Sequence, residues 1–104
     1  MDENLKKIKE IIIQTAKEMN IEIDKIILFG SRARGDYRED SDYDLLIVTK
    51  EKLDWQKRKK FWIYLRRQIK QKADILIIDN KTFEEKKNDI WNVVHEAYEK
   101  GIII

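Results

Sequence analysis

The sequence contains no cysteine and no proline, and glycine occurs only three times, at Gly30, Gly35 and Gly101. Without cysteine there is no disulfide framework, no thiolate metal site and no sulfur nucleophile. Without proline, and with so little glycine, there is no flexible linker or low-complexity stretch to divide the chain. No apolar run approaches the roughly 20 residues that span a bilayer. The charged N-terminus lacks the continuous apolar segment of a secretory signal. A cytoplasmic protein with no membrane association is the expectation.

What remains is 104 residues, the size of one domain, so 1–104 is read as a single unit. A chain of this length buries about 65% of its unfolded surface, enough for one core without staples. Charged residues make up 40% of it, yet 22 Lys and Arg are nearly balanced by 20 Asp and Glu, for a net charge of +2. That balance argues against a general nucleic-acid binder.

Hydrophobic periodicity gives the element order. Leu5, Ile8, Ile12 and Met19 recur at helical spacing and predict a helix over 3–19. Residues 24–29 form a short apolar run entering Gly30, which suits a buried strand. Residues 31–35 predict a tight turn or short helix, 36–41 a polar loop, and 43–49 a second strand. A second helix is expected over 54–71 with Trp55, Trp62, Leu65 and Ile69 facing inward, then a third strand over 73–78. Thr82, with Glu85 three residues on, has the form of a capping box opening a third helix. Phe83, Ile90, Val94 and Ala97 would line its apolar side, and Gly101 would end it as a left-handed cap. Ile102, Ile103 and Ile104 could add an edge strand or pack against a partner. The connection between the first two strands is too short for a crossover helix, so that pair is expected to be antiparallel. The fold class is therefore α/β in layers (α+β): a small mixed sheet flanked by helices.

Three features carry chemistry. Gly30-Ser31 ends a strand, where glycine allows close approach of a ligand and free N–H groups favour phosphate oxygens. Alone, such a pair is usually only a turn. Asp42 and Asp44 stand two apart, so both side chains leave one face, with Cα atoms roughly 6.5–7 Å apart. Carboxylates that close repel unless a cation lies between them, and hard oxygen ligands suit Mg²⁺. The plainer alternative is a solvated strand edge. Asp74 opens the third strand and joins the pair only if that strand lies beside the second. Three carboxylates can hold two metal ions about 3.5–4 Å apart.

Together, Gly30-Ser31-Arg32-Ala33-Arg34-Gly35 and Ser41-Asp42-Tyr43-Asp44-Leu45 resemble the signature of the DNA polymerase beta-like nucleotidyltransferases. Within that superfamily the stretch is most similar to the minimal nucleotidyltransferases (MNT) of HEPN–MNT toxin–antitoxin pairs. The resemblance implies a polymerase beta-like fold. It implies that Gly30 and Ser31 cradle the β- and γ-phosphates of ATP, and that Asp42 and Asp44 ligate two Mg²⁺ ions. Asp74, in the third-carboxylate position, would ligate one ion and help deprotonate the acceptor hydroxyl. It further implies transfer of AMP to a hydroxyl of a helical HEPN-type toxin. The larger members carry a second, acceptor-gripping domain for which this chain has no room, so the acceptor is expected on a separate protein; an acceptor pocket across a homo-oligomer interface would be needed only by an antibiotic-type enzyme. Two rival readings are a non-catalytic antitoxin that occludes its partner and a small-molecule, antibiotic-type nucleotidyltransferase.

Of the two arginines beside the phosphate turn, Arg34 is the candidate phosphate contact, because it directly precedes Gly35. His95 is read as a packing or surface residue. The basic run at 57–60 with Arg66 and Arg67 is read as a solvated helix face, and nucleic acid is not an expected partner. Trp55, Phe61, Trp62 and Tyr64 exceed what one helix face can bury, which points to some exposed aromatic surface.

Overall fold

A computed structural model describes residues 2–104. Helix α1 (Glu3–Glu18) starts where the Asp2 carboxylate accepts the Leu5 N–H at 2.6 Å. It ends at Met19, after which Asn20 turns the chain with φ 56°. Strand β1 (Ile23–Phe29), the single-turn helix α2 (Ser31–Arg34) and strand β2 (Tyr43–Thr49) follow. Then come helix α3 (Trp55–Gln68), strand β3 (Ala73–Asp79), helices α4 (Asn80–Lys86) and α5 (Val93–Lys100), and a two-residue strand β4 (Ile102–Ile103).

The four strands form one mixed sheet in the order β3-β2-β1-β4. β1 pairs antiparallel with β2 and with β4, whereas β2 and β3 run parallel. The central strand β2 is apolar on both faces, because helices cover both. Leu45 and Ile47 face α1 and α3, packing with Ile8, Ile12, Phe61 and Leu65. Leu46 and Val48 face α4 and α5, packing with Phe83, Val94 and Ala97. Each such side chain contributes about 1.5–3 kcal/mol by leaving water. Among the described residues no helix is long and apolar enough to cross a membrane.

Several sequence expectations are corrected. The third helix is two helices, not one from Thr82. Asp79, not Thr82, is the cap of α4: its carboxylate accepts both the Thr82 N–H at 3.1 Å and the Thr82 hydroxyl at 2.7 Å. A carboxylate can take both donors, which leaves the Thr82 hydroxyl as donor rather than cap acceptor. The helical path breaks after Lys87, where Asp89 accepts the Trp91 N–H and Asn92 accepts the Val94 N–H to restart the chain as α5. Short polar side chains here compete with the helical ladder. Ile90 falls in this break and is exposed instead of lining the apolar side.

Gly101 is not left-handed; its φ of −78° and ψ of 166° carry the chain straight into β4. Glycine is needed there for space, because a Cβ would overlap the Ala97 carbonyl and the Ile27 side chain. Finally, α3 stops at Gln68, three residues before the expected end, and Ile69 is extended though still buried. Its buried face is carried by Phe61 and Leu65, while Trp55 and Trp62 are 64% and 43% exposed. The helix is rotated from the expected orientation, so the tryptophan stripe overhangs the β3 edge of the sheet.

Candidate active site

The site is built at one end of the sheet, where β1 ends and β2 and β3 begin. Phe29, the last residue of β1, is the ladder partner of Asp44, and Asp44 is in turn the ladder partner of Asp74. Adjacent strands lie about 4.8 Å apart, so the two carboxylate-bearing Cα atoms are neighbours across the parallel ladder. Tyr43, Leu45 and Ile47 point into the α1/α3 core, so Asp44 projects from the opposite face, as strand alternation requires. Asp42 precedes the strand on that same side. Asp44 is half-buried, and Asp42 and Asp74 are exposed.

Gly30 locks the turn to this cluster. Its φ is 74° and ψ −156°, a backbone conformation that only glycine adopts without strain. A Cβ at Gly30 would overlap Asp44 Oδ2. The glycine therefore lets the turn backbone lie directly against the carboxylate. α2 starts at Ser31, and the first N–H groups of a helix have no acceptor within it. Gly35, with φ 88°, closes α2 as a left-handed cap.

The two arginines of α2 point to different tasks. Arg32 braces the loop that delivers Asp42: it donates to the Ser41 carbonyl and to the Glu39 carbonyl, each at 3.0 Å. Its guanidinium lies 4.0 Å from the Tyr43 ring centre and 4.8 Å from that of Tyr37. Arg34 is shared between Asp36 at 3.4 Å and Glu96 at 3.5 Å. Glu96 was not singled out from sequence. It reaches the cluster from α5, 52 positions beyond Asp44, and no local pattern marks it.

The electrostatics are dominated by negative charge. Burial pushes the Asp44 carboxyl above its ordinary range, and the charges of Asp74, Asp42 and Glu96 push it further, with Arg34 opposing. All the donors are hard oxygens, the set that suits Mg²⁺. The side chains stand apart, however: no group of three or more His, Asp or Glu among the described residues already converges on one point for a metal ion. His95 lies outside the cluster, with Nδ1 2.8 Å from the Lys87 carbonyl, tying α5 back to the end of α4. Two grooves of the surface lie along the α3–β3 edge, and Asp42 and Asp74 stand exposed at the sheet end.

Known proteins resemble this chain in sequence and in fold. A protein of Methanocaldococcus jannaschii named "Putative protein adenylyltransferase" is 42% identical over 72 residues, covering 65% of this chain and 72% of the relative. A solved structure of a putative minimal nucleotidyltransferase superimposes with a TM-score of 0.63 at 24% identity, covering 100% of this chain and 97% of that one. A chain in the complex of a tri-AMPylated Shewanella oneidensis HEPN toxin with an MNT antitoxin superimposes with a TM-score of 0.54 at 16% identity, covering 94% of this chain and 69% of that one. At such identities the two superpositions speak for the fold. The profile of the family described as "Polymerase beta, Nucleotidyltransferase" matches residues 6–102, a span that takes in the Gly30 turn, all three aspartates and strands β1, β2 and β3, and the chain belongs to that family.

Proposed function

We propose that this protein transfers AMP from ATP to a hydroxyl of a partner protein, and that it acts as the antitoxin of a HEPN–MNT pair. The observation that carries the chemistry is the ladder register that sets Asp44 beside Asp74, with Gly30 packed on Asp44. The adenylyltransferase name of the M. jannaschii relative, and the likeness to the HEPN–MNT complex, support the substrate and the partner.

In this reading the turn at Gly30 and Ser31 holds the β- and γ-phosphates through its free N–H groups and the Ser31 hydroxyl. Arg34 leaves Glu96 to meet a phosphate oxygen. Asp42 and Asp44 are the residues to hold two Mg²⁺ ions, with Asp74 completing the set for one of them. Like charges drive these carboxylates apart, and a cation between them reverses that force. When bound, Mg²⁺ supplies charge neutralisation at the α-phosphate and the leaving pyrophosphate. Asp74 accepts the proton of the acceptor hydroxyl. The acceptor oxygen forms a bond to the α-phosphorus, the bond from that phosphorus to the bridging oxygen breaks, and pyrophosphate leaves with the electron pair.

The test uses ATP labelled at the α-phosphate with Mg²⁺, with and without the protein encoded beside this one. Label on that partner, lost in the Asp42→Ala/Asp44→Ala variant, is the expected result. Undiminished label in the double variant refutes the site. A tight complex without label refutes the transfer and leaves occlusion of the partner.

A further inference from the structure

β3 is an edge strand: β2 pairs with one side of it, and among the described residues no strand pairs with the other. Natural sheets cover, shorten or charge such edges. Here the exposed side runs through Ile75, Leu76 and Ile77 without a charged side chain, and at its start Arg66 donates to the Ala73 carbonyl from outside. Beside it lies a groove of about 420 Å³, walled by Trp55, Arg58, Lys59 and Trp62 of α3 and floored by the strand itself. The two tryptophans are seven residues apart and so share one helix face, with Lys59 lying between them over the Trp55 ring at 4.8 Å. Neither tryptophan belongs to the core.

The same strand carries Asp74 at its start, in register with Asp44. The unpaired edge therefore leads directly into the carboxylate cluster. We infer that the β3 edge and the Trp55–Trp62 groove dock an extended, acidic and apolar segment of the acceptor protein by strand addition, and so deliver its hydroxyl to Asp74. This rests on the reading of Asp74 as the acceptor-side carboxylate.

Each part of the segment's chemistry has a counterpart on the surface. Beyond the Ala73 carbonyl, which Arg66 occupies, the unpaired main chain of β3 offers hydrogen bonds to any extended backbone. Trp55 and Trp62 offer an apolar wall. Arg58 and Lys59 are exposed cations that call for acidic side chains. A second copy of this chain would bring the same cations against each other, which disfavours self-pairing through this groove.

Strand alternation then fixes a spacing rule. Ile75 and Ile77 face the α1/α3 core, so α3 and its tryptophans stand on that side of the sheet. Asp74, Leu76 and Ile78 face the other side. In an added strand the hydroxyl must face Asp74, and the anchoring side chains must face the tryptophans. Successive side chains point to opposite faces. The anchors therefore lie at odd spacings from the hydroxyl residue, one or three positions away, a reach of about 3.3 or 10 Å along the strand.

The test uses two nine-residue peptides of the same composition with a central Tyr. One carries Ile and Glu at positions one and three from the Tyr, and the other carries them at positions two and four. Binding is read by fluorescence anisotropy, edge occupancy by amide exchange over 74–78, and nucleotide binding by a fluorescent ATP analogue. The expected result is at least tenfold tighter binding of the odd-spaced peptide, with exchange protection along β3. Trp55→Ala/Trp62→Ala and, separately, Arg58→Glu/Lys59→Glu should each weaken it at least tenfold while nucleotide binding is unchanged. Equal binding of the two peptides, binding of neither, or binding indifferent to both pairs of substitutions overturns the inference. So does preferential occupation of the groove by a 12-nucleotide single-stranded RNA or by a second copy of the chain. If the odd-spaced peptide docks as described but no ATP is bound or transferred, the proposed function fails and the docking surface stands.

Discussion

Replacing Asp44 by Asn should stabilise this protein at neutral pH when divalent cations are absent. Asp44 is raised above the usual carboxylate range, first by burial and then by Asp74, Asp42 and Glu96. A carboxyl whose folded value lies above its unfolded value favours folding fully only below the unfolded value, near 3.9. That contribution disappears as pH climbs from the unfolded value through the folded one, so at pH 7 the ionised group opposes folding. The size follows from the ladder. Neighbouring strands are about 4.8 Å apart, and carboxylates that splay from paired positions come to about 7 Å. Two unit charges at about 7 Å repel by about 0.6 kcal/mol in water and about 2.4 kcal/mol at an effective dielectric of 20. Asp42 and Asp74 are exposed, so screening holds the gain to the lower half, about 0.5–1.5 kcal/mol. For a domain of this size about 1 kcal/mol is about 4–8 °C in Tm.

The assay is urea unfolding of wild type and Asp44→Asn with EDTA at pH 7 and low salt, repeated at pH 3.5 and in 0.5 M salt. The midpoint should rise in the variant with the slope unchanged. The gain should shrink in salt and fade at the acid pH, which lies below both the unfolded value and the raised folded one. With Mg²⁺ and ATP at about 100 times their dissociation constant, wild type should gain about 2.7 kcal/mol and overtake the variant. A variant less stable than wild type at pH 7 without metal, or a gain that persists at pH 3.5, would refute the reasoning.

Other substitutions probe single links. Gly30→Ala forces a side chain into a positive-φ position and onto Asp44 Oδ2, so it should cost about 1–3 kcal/mol in urea unfolding and abolish ATP binding; wild-type ATP affinity would show that the turn is not part of the site. Asp79→Ala removes the cap of α4 and should cost about 1 kcal/mol. Burial works against the charged form of Asp79, but the Thr82 hydroxyl and N–H outweigh it and hold the carboxyl below its usual range. Its contribution should therefore be present above about pH 4 and be lost as pH falls through the lower folded value; a cost that is the same at pH 3 as at pH 7 would contradict that assignment. Leu46→Ala empties a fully buried position on the central strand and should cost about 2–5 kcal/mol by chemical denaturation.

The sequence was readable where one residue's environment is set by its near neighbours. β2 is the clear case: its run from Tyr43 to Thr49 has the length and apolar character of a strand covered on both faces, and no other element suits it. Asp44 and Asp74 share a ladder because each aspartate is the second residue of its strand, so the register follows once parallel pairing is granted. Errors appeared where two local signals competed. Thr82 and Asp79 both offer a cap, and the choice falls to the carboxylate that can accept two donors. α3 has more aromatic residues than one face can bury, and periodicity alone does not say which ones lose. The sheet decides: Phe61 and Leu65 meet its centre, and Trp55 and Trp62 are left past its last strand. Glu96 was illegible for a different reason. Its place beside Arg34 depends on where α5 lands, and that depends on a helix break, a cap at Asn92 and the packing of Val94 and Ala97 on β1 and β2. The motif thus names the residues that local geometry presents, while the tertiary fold adds Glu96 to the cluster and leaves the tryptophans uncovered. Both are consequences of long-range packing, and in the proposed function both bear on what this site accepts: one on the charge the nucleotide would meet, the other on the surface past which an acceptor would come.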